Sequence, residues 1–384
     1  MMAELCVVAA RRTVLGRFLG KLKDVSSVDL ACAAARPVLH GLDPSTIDRV
    51  IVGNVLGAGQ GMNIARQVGV RVGLPPEVPA FTVNMMCGSG LQAVRLAAQA
   101  IQCGEARAVL CGGTESMSGS PYLVPRARQG LKLGDAAMVD SILRDGLVDA
   151  FDGRHMGLLV EAMATHRDIS RRRQDEWAVR SQERYAAAQS AGAFADERIP
   201  LEGLEADEHP RPGATLEDLA RLKPAFTSDG SVTAGNASGI NDGAAMLLLA
   251  DRDLATRESW PILCDWVDSA LVGCEPASMG LGPVYALRRL CERQGVALAD
   301  CDAIEINEAF AAQVLACLED LGVNENSVNL CGGAISLGHP IGASGARLVV
   351  HAAHQIHRGA ATQAAVSLCV GGGMGVAALL RSPG

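Results

Sequence analysis

Aromatic residues, closely spaced cysteine pairs and long apolar runs are scarce or missing in this 384-residue sequence. Only 3% of the residues are aromatic, while 49% are hydrophobic and 43 are glycine, so Ala, Val, Leu and Ile must fill the core. This composition favours helices layered on sheets, and the length indicates two or three packed units. No apolar stretch reaches the roughly 20 residues of a membrane span. The net charge of −8 gives no general attraction to nucleic acid, so neither membranes nor nucleic acids are expected as partners.

The twelve cysteines form no C-x-x-C pattern, so the sequence predicts neither a zinc site nor a dithiol site. The apolar run near the N-terminus is too short for a secretory signal, and Glu4 stands where a basic residue is expected. We therefore expect a cytoplasmic protein whose cysteines are reduced, most of them serving as small buried hydrophobes.

An internal repeat is the most informative feature of the chain. Residues 83–88 lead into a helical pattern of about 14 residues with a period of 3.6, and then into the strand-like residues 106–113. Residues 328–333 are followed in the same way by a helical pattern and by the strand-like residues 364–372. The same order of strand, glycine-rich turn, helix and strand predicts two related α/β halves.

The chain between residues 119 and 238 is polar and charged, unlike the repeats, and we interpret it as an insertion in the first half that lies over the site. Its pattern predicts a helix from the N-cap Ser170 to Ser190. The run from Arg171 to Arg173 fits either contact with a nucleotide phosphate or a solvated first helical turn. The second interpretation fits at least as well, particularly because positive charge opposes the dipole at a helix start.

Cys87 lies between a strand-like run and a helix that opens with Gly88 and Gly90. Because a helix N-terminus stabilises a thiolate, we expect a lowered pKa and a nucleophilic role. The glycines let a substrate carbonyl approach backbone N–H groups, which are the donors that an oxyanion requires. A buried structural cysteine in a tight turn fits a lone C-G-S-G match about equally well.

Two further candidates lie in glycine-rich segments of the second half. His339 stands between Gly338 and Pro340 ahead of a helix, on a turn suited to accepting a thiol proton or to donating to an oxyanion. Cys369 ends a strand and precedes another run of glycines. These glycines do not predict a dinucleotide site, because no acidic residue follows at the expected distance.

Asn307 and Glu308 follow the strand-like residues 303–306. Asn307 could position a water molecule and Glu308 could orient a histidine. Alternatively, Asn307 caps the helix that follows.

Jointly these segments resemble the thiolase family, and within it the acetyl-CoA acetyltransferases. The resemblance extends over nearly the whole chain. It includes residues 84–90 (NMMCGSG), 112–118 (GGTESMS), 152–157 (DGRHMG), 233–244 (TAGNASGINDGA), 279–283 (MGLGP) and the segments around Asn307, His339 and Cys369.

The resemblance implies the thiolase fold, an α/β architecture of two duplicated βαβαβαββ-like halves in five layers (α-β-α-β-α) with an inserted loop domain. The implied division is an N-terminal half at residues 1–118, completed by about 239–262, and a C-terminal half at residues 263–384. The inserted loop domain, residues 119–238, would provide CoA binding and oligomer contacts. A homotetramer or homodimer is implied, and residues 120–135 resemble the tetramerisation loop.

The resemblance also implies a ping-pong acetyl-CoA C-acetyltransferase reaction. Cys87, activated by His339, becomes acylated, and Cys369 removes an α-proton from a second acetyl-CoA. The enolate then attacks the acyl-enzyme to give acetoacetyl-CoA, and thiolysis is the reverse. His339 and a water held by Asn307 would stabilise the enolate, and the backbone N–H groups of Cys87 and Gly371 would hold the tetrahedral oxyanion.

By the same resemblance, substrate-binding positions are His155, Met156, Phe226, Ser238 and Phe310. Acetyl-CoA, acetoacetyl-CoA and CoA are the expected small-molecule partners. They are substrates, so no metal and no redox cofactor is expected.

Four alternatives remain open. A 3-ketoacyl-CoA thiolase with a broader chain-length range would use the same residues. A decarboxylating ketoacyl synthase normally pairs its cysteine with two histidines, or with histidine and asparagine, where this chain has a second cysteine. A cysteine hydrolase leaves Cys369 and the duplication unexplained. A non-catalytic acyl-CoA carrier has no need of Cys87, His339 and Cys369, yet this sequence keeps all three.

Overall fold

The computed structural model describes residues 3–384, which form a mixed α/β fold. The strands in that range are β1 (Leu5–Thr13), β2 (Gly16–Arg17), β3 (Arg49–Gly53), β4 (Ala80–Val83), β5 (Ala108–Ser116), β6 (Tyr122–Leu123), β7 (Val139–Asp140), β8 (Arg198–Ile199), β9 (Asn241–Asp251), β10 (Cys264–Gly273), β11 (Ala303–Ile306), β12 (Gln363–Val370) and β13 (Met374–Arg381). The α-helices are α1 (Ser27–Val38), α2 (Ile64–Arg71), α3 (Ser89–Gln102), α4 (Met156–His166), α5 (Arg171–Ser190), α6 (Leu216–Ala220), α7 (Arg252–Arg257), α8 (Gly282–Gln294), α9 (Ala311–Leu321), α10 (Ala334–Leu337) and α11 (Ile341–His357). Over residues 3–384, none of the helices combines the length and apolar character needed to cross a membrane.

The strands follow the same order in each half of the chain. The first half reads β1-β9-β5-β3-β4, and the second reads β10-β13-β12-β11, followed by a single parallel bridge between Ile304 and Val328. In both halves the first three strands are antiparallel to their neighbours and the remaining pairs are parallel. The predicted duplication is therefore confirmed. In addition, β1 pairs with β10 over Leu5–Val7, which joins the two halves edge to edge.

Two buried helices, α3 and α11, pack against each other between the two halves of the sheet. Helix α3 also packs on β3 and β5, and α11 packs on β5, β9 and β12. Helices α1 and α2 cover the outer face of the first half, and α8 covers the outer face of the second. Leu91, Val94, Ala98 and Ile101 recur at helical spacing on the buried face of α3. The result is the five-layer arrangement that the sequence predicted.

Helices α3 and α11 approach closely because each presents a glycine to the other. A Cβ atom on Gly90 would lie 2.7 Å from the backbone N of Ala346, and one on Gly345 would lie 2.5 Å from the backbone N of Leu91. These distances leave no room for a side chain at either glycine. The contact determines where each helix begins, and therefore where the residues just before each helix lie.

The segment between β5 and β9 carries α4, α5 and α6 and three short strands. Helix α5 runs from Arg171 to Ser190, and its N-cap Ser170 accepts a hydrogen bond from the backbone N of Arg173 at 3.2 Å. The predicted helix is therefore confirmed. The division of the chain into domains at residues 119 and 238 stays a prediction.

The three arginines at the start of α5 each pair with a carboxylate of the same chain. The pairs are Arg171–Asp175, Arg172–Glu176 and Arg173–Glu325. These ion pairs favour the interpretation of an ordinary first helical turn over a phosphate contact.

We expect Gly90→Ala and Gly345→Ala each to lower the free energy of unfolding by at least about 1–2 kcal/mol. A Cβ atom at either glycine would overlap backbone atoms, so we expect an overpacking cost in the upper part of the usual range, about 2–3 kcal/mol or more. The gain of about 1 kcal/mol that alanine brings to a helix interior offsets only part of this cost. Denaturant titration of both variants measures the loss. Gly273→Ala is the control, because a Cβ atom there meets no atom within 4 Å. Equal stability of all three variants would contradict the close helix contact.

Candidate active site

One cavity of about 260 Å³ brings together nine of the ten predicted site residues. Its lining includes Cys87, His155, Met156, Phe226, Ser238, Phe310, His339, Cys369 and Gly371. The tenth residue, Asn307, lies against His339, with its Nδ2 3.5 Å from the imidazole Nδ1. Residues that are up to 284 positions apart, from Cys87 to Gly371, thus meet where the two halves face each other.

A tight turn between β4 and α3 places Cys87 at the cavity. Met86 has a left-handed backbone with φ of 47°. The turn is held by Ser89, whose Oγ accepts from the backbone N of Met85 at 2.8 Å and donates to the carbonyl of Met86 at 2.7 Å. Gly88 is the N-cap of α3, so Cys87 lies immediately before the helix, as predicted.

The predicted lowering of the Cys87 pKa is wrong for this site. Burial raises the pKa of the Cys87 thiol to about 11, although the backbone N–H groups of Gly371 and of Cys87 itself act in the opposite direction. Desolvation disfavours the thiolate more than the nearby N–H groups favour it. Cys87 is therefore a neutral thiol in the resting protein, and it requires a base in order to become a nucleophile.

His339 lies on the loop between α10 and α11. Its backbone N donates to Asn241 Oδ1 at 2.9 Å, and its Nδ1 lies 2.6 Å from Ser344 Oγ. The side chain is buried, and desolvation, assisted by the charge of Arg347, lowers the pKa of His339 to about 3. The imidazole is therefore neutral at physiological pH. Its Nε2 has no hydrogen-bond partner within residues 3–384.

Cys369 lies near the end of β12, with 2% of its surface exposed. Burial, followed by the neighbouring Cys87 thiol, raises the pKa of Cys369 well above its ordinary value. Gly372 and Gly373 have φ values of 85° and 82°, which form the tight turn into β13. This turn leaves the N–H group of Gly371 directed at the Cys87 thiol.

Asn307 does not cap a helix. Helix α9 begins four residues later, at Ala311, and the Asn307 backbone N donates to Ser367 at the adjacent strand at 2.9 Å. The Oδ1 atom of its buried side chain has no hydrogen-bond partner within residues 3–384. An amide oxygen in this position can accept a hydrogen bond from a bound molecule.

The prediction that Glu308 orients a histidine is wrong. Its carboxylate accepts hydrogen bonds from Trp177 Nε1, Ser181 Oγ, Asn329 Nδ2 and the backbone N of Ile335, at 2.7–3.1 Å. The residue connects α5 to the segment that precedes His339. Its role is to hold these elements together.

Aromatic rings form one wall of the cavity. The rings of His155 and Phe226 stack with their centroids 4.8 Å apart, and Phe226 meets Phe310 edge to face at 6.3 Å. His155 also caps α4, because its Nδ1 accepts from the backbone N of Gly157 at 3.0 Å. Burial lowers the pKa of His155, so this wall is uncharged at neutral pH. Such a surface suits the apolar and amide parts of a long, flexible substrate arm.

Sequence reasoning did not assign a role to Glu115, which lies beneath the His339 loop. Its buried carboxylate accepts from the backbone N–H groups of Val55, Leu56 and Gly342 at 2.9–3.1 Å. Burial raises the pKa of Glu115 to about 7. Glu115 could have been identified from the sequence, because a carboxylate near the end of a strand that is otherwise uncharged and contains glycine is unusual.

Within residues 3–384, the His, Cys, Asp and Glu side chains form no group of three or more that could hold a metal ion. The cavity and its surroundings offer two thiols, one neutral imidazole, one amide and a set of backbone N–H groups.

Family models match the chain over almost its whole length. The thiolase N-terminal domain matches residues 5–253, and the thiolase C-terminal domain matches residues 260–382. The chain belongs to the thiolase family.

Relatives of this thiolase agree in sequence and in fold. An acetyl-CoA acetyltransferase of Pseudomonas aeruginosa is 47% identical over 390 residues, covering 99% of each chain. A human mitochondrial 3-ketoacyl-CoA thiolase, solved in complex with CoA, has a TM-score of 0.97 at 43% identity and covers 100% of this chain and 98% of its own. An acetyl-CoA acetyltransferase of Bacillus anthracis has a TM-score of 0.96 at 38% identity, with 100% and 99% coverage. The predicted thiolase fold is confirmed.

The desolvation of His339 predicts a pH-dependent cost to folding. Below about pH 6.5 the unfolded chain binds a proton at this histidine, whereas the folded state does so only near pH 3. Stability should therefore fall with decreasing pH across this window, and His339→Asn should remove that component. The quantity to compare is the free energy of unfolding of the wild type minus that of the variant. We expect this difference to be smaller by more than about 1 kcal/mol at about pH 4.5 than at about pH 7.5. Denaturant titrations at both pH values test this, and a pH-independent difference would contradict it.

Proposed function

We propose that this thiolase is an acetyl-CoA C-acetyltransferase that interconverts two molecules of acetyl-CoA with acetoacetyl-CoA and CoA. The observation that carries the proposal is the meeting of two thiols, Cys87 and Cys369, with the neutral imidazole of His339 in one cavity. A nucleophile and a base are sufficient for hydrolysis. Carbon–carbon bond formation needs a second base for the α-proton, and Cys369 is available for that role.

In the first step, Cys87 attacks the thioester carbonyl of acetyl-CoA while His339 accepts the thiol proton. Because the resting thiol has a pKa of about 11 and the imidazole a pKa of about 3, proton transfer before attack is strongly disfavoured. The proton therefore moves as the sulfur–carbon bond forms. The tetrahedral oxyanion accepts hydrogen bonds from the N–H groups of Cys87 and Gly371, and its collapse expels the CoA sulfur, which takes the proton of Cys369. Cys369 is left as the thiolate, and His339 keeps the proton that came from Cys87.

In the second step, the Cys369 thiolate removes an α-proton from a second acetyl-CoA. The resulting enolate oxygen accepts hydrogen bonds from the Nε2–H group of protonated His339 and from a water that is bound by the free Oδ1 of Asn307. The enolate carbon attacks the acetyl group on Cys87, and acetoacetyl-CoA forms as the Cys87 sulfur leaves and takes its proton back from His339. Thiolysis runs these steps in reverse.

Substrate binding is assigned to the aromatic wall of the cavity and the segment next to it. His155, Met156, Phe226 and Phe310 would contact the pantetheine arm and the acyl group. Ser238, whose backbone N donates to Ala309 at 3.0 Å, would contact the pantetheine amides. The remainder of CoA would lie on the inserted loop domain, residues 119–238. A 3-ketoacyl-CoA thiolase of broader chain length is the second candidate, because the cited relatives carry both names.

We also propose that the protein is a cytoplasmic homotetramer or homodimer. Large apolar side chains are exposed on residues 119–151, among them Tyr122 at 63%, Met138 at 69% and Phe151 at 74%. A second copy of the chain is the expected partner for these side chains.

The decisive test is a thiolysis assay with CoA and acetoacetyl-CoA, which follows the loss of enolate absorbance. We expect Cys87→Ser and Cys369→Ser each to lose at least about 10³-fold in kcat, because each removes a reacting group. Cys369→Ser should still acquire a stable acyl label on Cys87 from acetyl-CoA, and Cys87→Ser should not.

Cys111→Ser is the control, because Cys111 is as fully buried as Cys369 but lies in β5, outside the cavity lining. Absence of turnover with acetoacetyl-CoA and with longer 3-ketoacyl-CoAs, in well-folded protein, would contradict the proposal. Binding of acetyl-CoA without turnover and without labelling of Cys87 would then favour the carrier, and turnover with malonyl donors would favour the synthase.

A second prediction concerns the aromatic wall. Phe226→Ala should raise the Kd of CoA about 5- to 30-fold, because loss of a buried aromatic contact costs about 1–2 kcal/mol. The kcat should change less than about threefold, since the ring holds substrate and transition state alike. Calorimetric titration measures the Kd, with Phe18→Ala, outside the cavity, as the control. An unchanged Kd in Phe226→Ala would remove Phe226 from the binding site.

A further inference from the structure

We propose that Ser344 is a positioning residue that holds His339 in the tautomer with hydrogen on Nδ1 and a free lone pair on Nε2. The inference rests on the proposed role of His339 as the base for Cys87. Ser344 would explain why the imidazole of His339 is able to accept the thiol proton of Cys87.

The geometry around the Ser344 hydroxyl leaves one consistent arrangement of hydrogens. Ser344 lies in the first turn of α11 and is 1% exposed. Its Oγ lies 2.9 Å from the carbonyl of Pro340 and 2.6 Å from His339 Nδ1. A carbonyl can only accept, so the single hydroxyl hydrogen is directed at Pro340. The oxygen therefore presents a lone pair to Nδ1, which must carry a hydrogen.

The other side of the imidazole agrees with this assignment. Burial keeps His339 neutral, so a hydrogen on Nδ1 leaves Nε2 with an unshared electron pair. Nε2 has no hydrogen-bond partner within residues 3–384, while the ring lines the cavity that also contains both thiols. When the Cys87 proton reaches Nε2, the Nδ1–H group of the imidazolium still donates to Ser344. The hydroxyl therefore stabilises the cation as well as selecting the tautomer.

Removing the hydroxyl should reverse the tautomer. The next polar atom near Nδ1 is Asn307 Nδ2 at 3.5 Å, too far for a strong hydrogen bond while Ser344 is present. An amide N–H group can only donate, so without Ser344 it favours a lone pair on Nδ1. The hydrogen then lies on Nε2, which can no longer accept the proton of Cys87.

The test compares Ser344→Ala with Ser336→Ala. Both remove a buried hydroxyl from the same region, but Ser336 Oγ bonds to Gly333 and Ser181 and does not contact His339. The rate of Cys87 acylation by acetyl-CoA is measured in a single turnover, and the release of CoA is the signal that is monitored. We expect Ser344→Ala to lower this rate about 10- to 100-fold, part of the 10²–10⁴-fold that general-base catalysis contributes. The Kd of CoA should stay within about twofold, and Ser336→Ala should lose less than about threefold in rate.

The tautomer is read directly from the ¹⁵N chemical shifts of the imidazole, assigned by comparison with His339→Asn. The wild type should show hydrogen on Nδ1, and Ser344→Ala should show it on Nε2. The inference would be overturned if the wild-type imidazole carried its hydrogen on Nε2, and this result would count even if Ser344→Ala did not fold. It would also be overturned if Ser344→Ala and Ser336→Ala were acylated at equal rates. If instead His339→Asn is acylated at the wild-type rate, the proposed role of His339 itself fails.

Discussion

The site depends on the glycine-to-glycine contact between α3 and α11. Cys87 immediately precedes the N-cap of α3, and His339 lies two residues before α11 begins. The nucleophile and its base belong to different halves of the chain, so the distance between the two helices limits how close they can lie. Gly90 and Gly345 allow the backbones to meet with no side chain between them. A wider helix pair would separate these residues, and an error of about 1 Å is enough to impair such chemistry.

Desolvation then determines the protonation states. The same burial that raises the pKa of Cys87 to about 11 lowers that of His339 to about 3, so both groups are neutral at rest. A desolvated site of neutral groups does not stabilise a resting thiolate, which limits side reactions with electrophiles. The site can still stabilise charge where charge develops, because the N–H groups of Gly371 and Cys87 are fixed in place. The catalytic advantage lies in the transition state and not in the resting thiol.

Helix and strand periods and glycine-rich turns are local signals, and they predicted the duplication and pointed to Cys87, His339 and Cys369. The five-layer fold and the residues of the aromatic wall came from the resemblance to the thiolase family. Prediction from the sequence failed where the outcome depended on the environment of a side chain. The helix N-terminus next to Cys87 was visible, but the depth of its burial was not, so the predicted pKa shift had the wrong sign. Glu308 stood next to Asn307, yet its partners come from α5 and from residues 329–335. Contacts over 21 to 131 positions leave no local pattern.

The duplication also explains why equivalent positions in the two halves do different chemistry. The segments before α3 and α11 occupy corresponding places, and one carries Cys87 while the other carries His339. Strands β5 and β12 correspond as well, and each contains a cysteine followed by glycines. Strand β5 continues past Cys111 to Ser116, paired throughout with β9, so that thiol is sealed in the core. Strand β12 ends at Val370, one residue after Cys369, so this second thiol reaches the cavity. The point at which the strand ends therefore determines whether the cysteine is packed in the core, as Cys111 is, or is available for chemistry at the cavity, as Cys369 is.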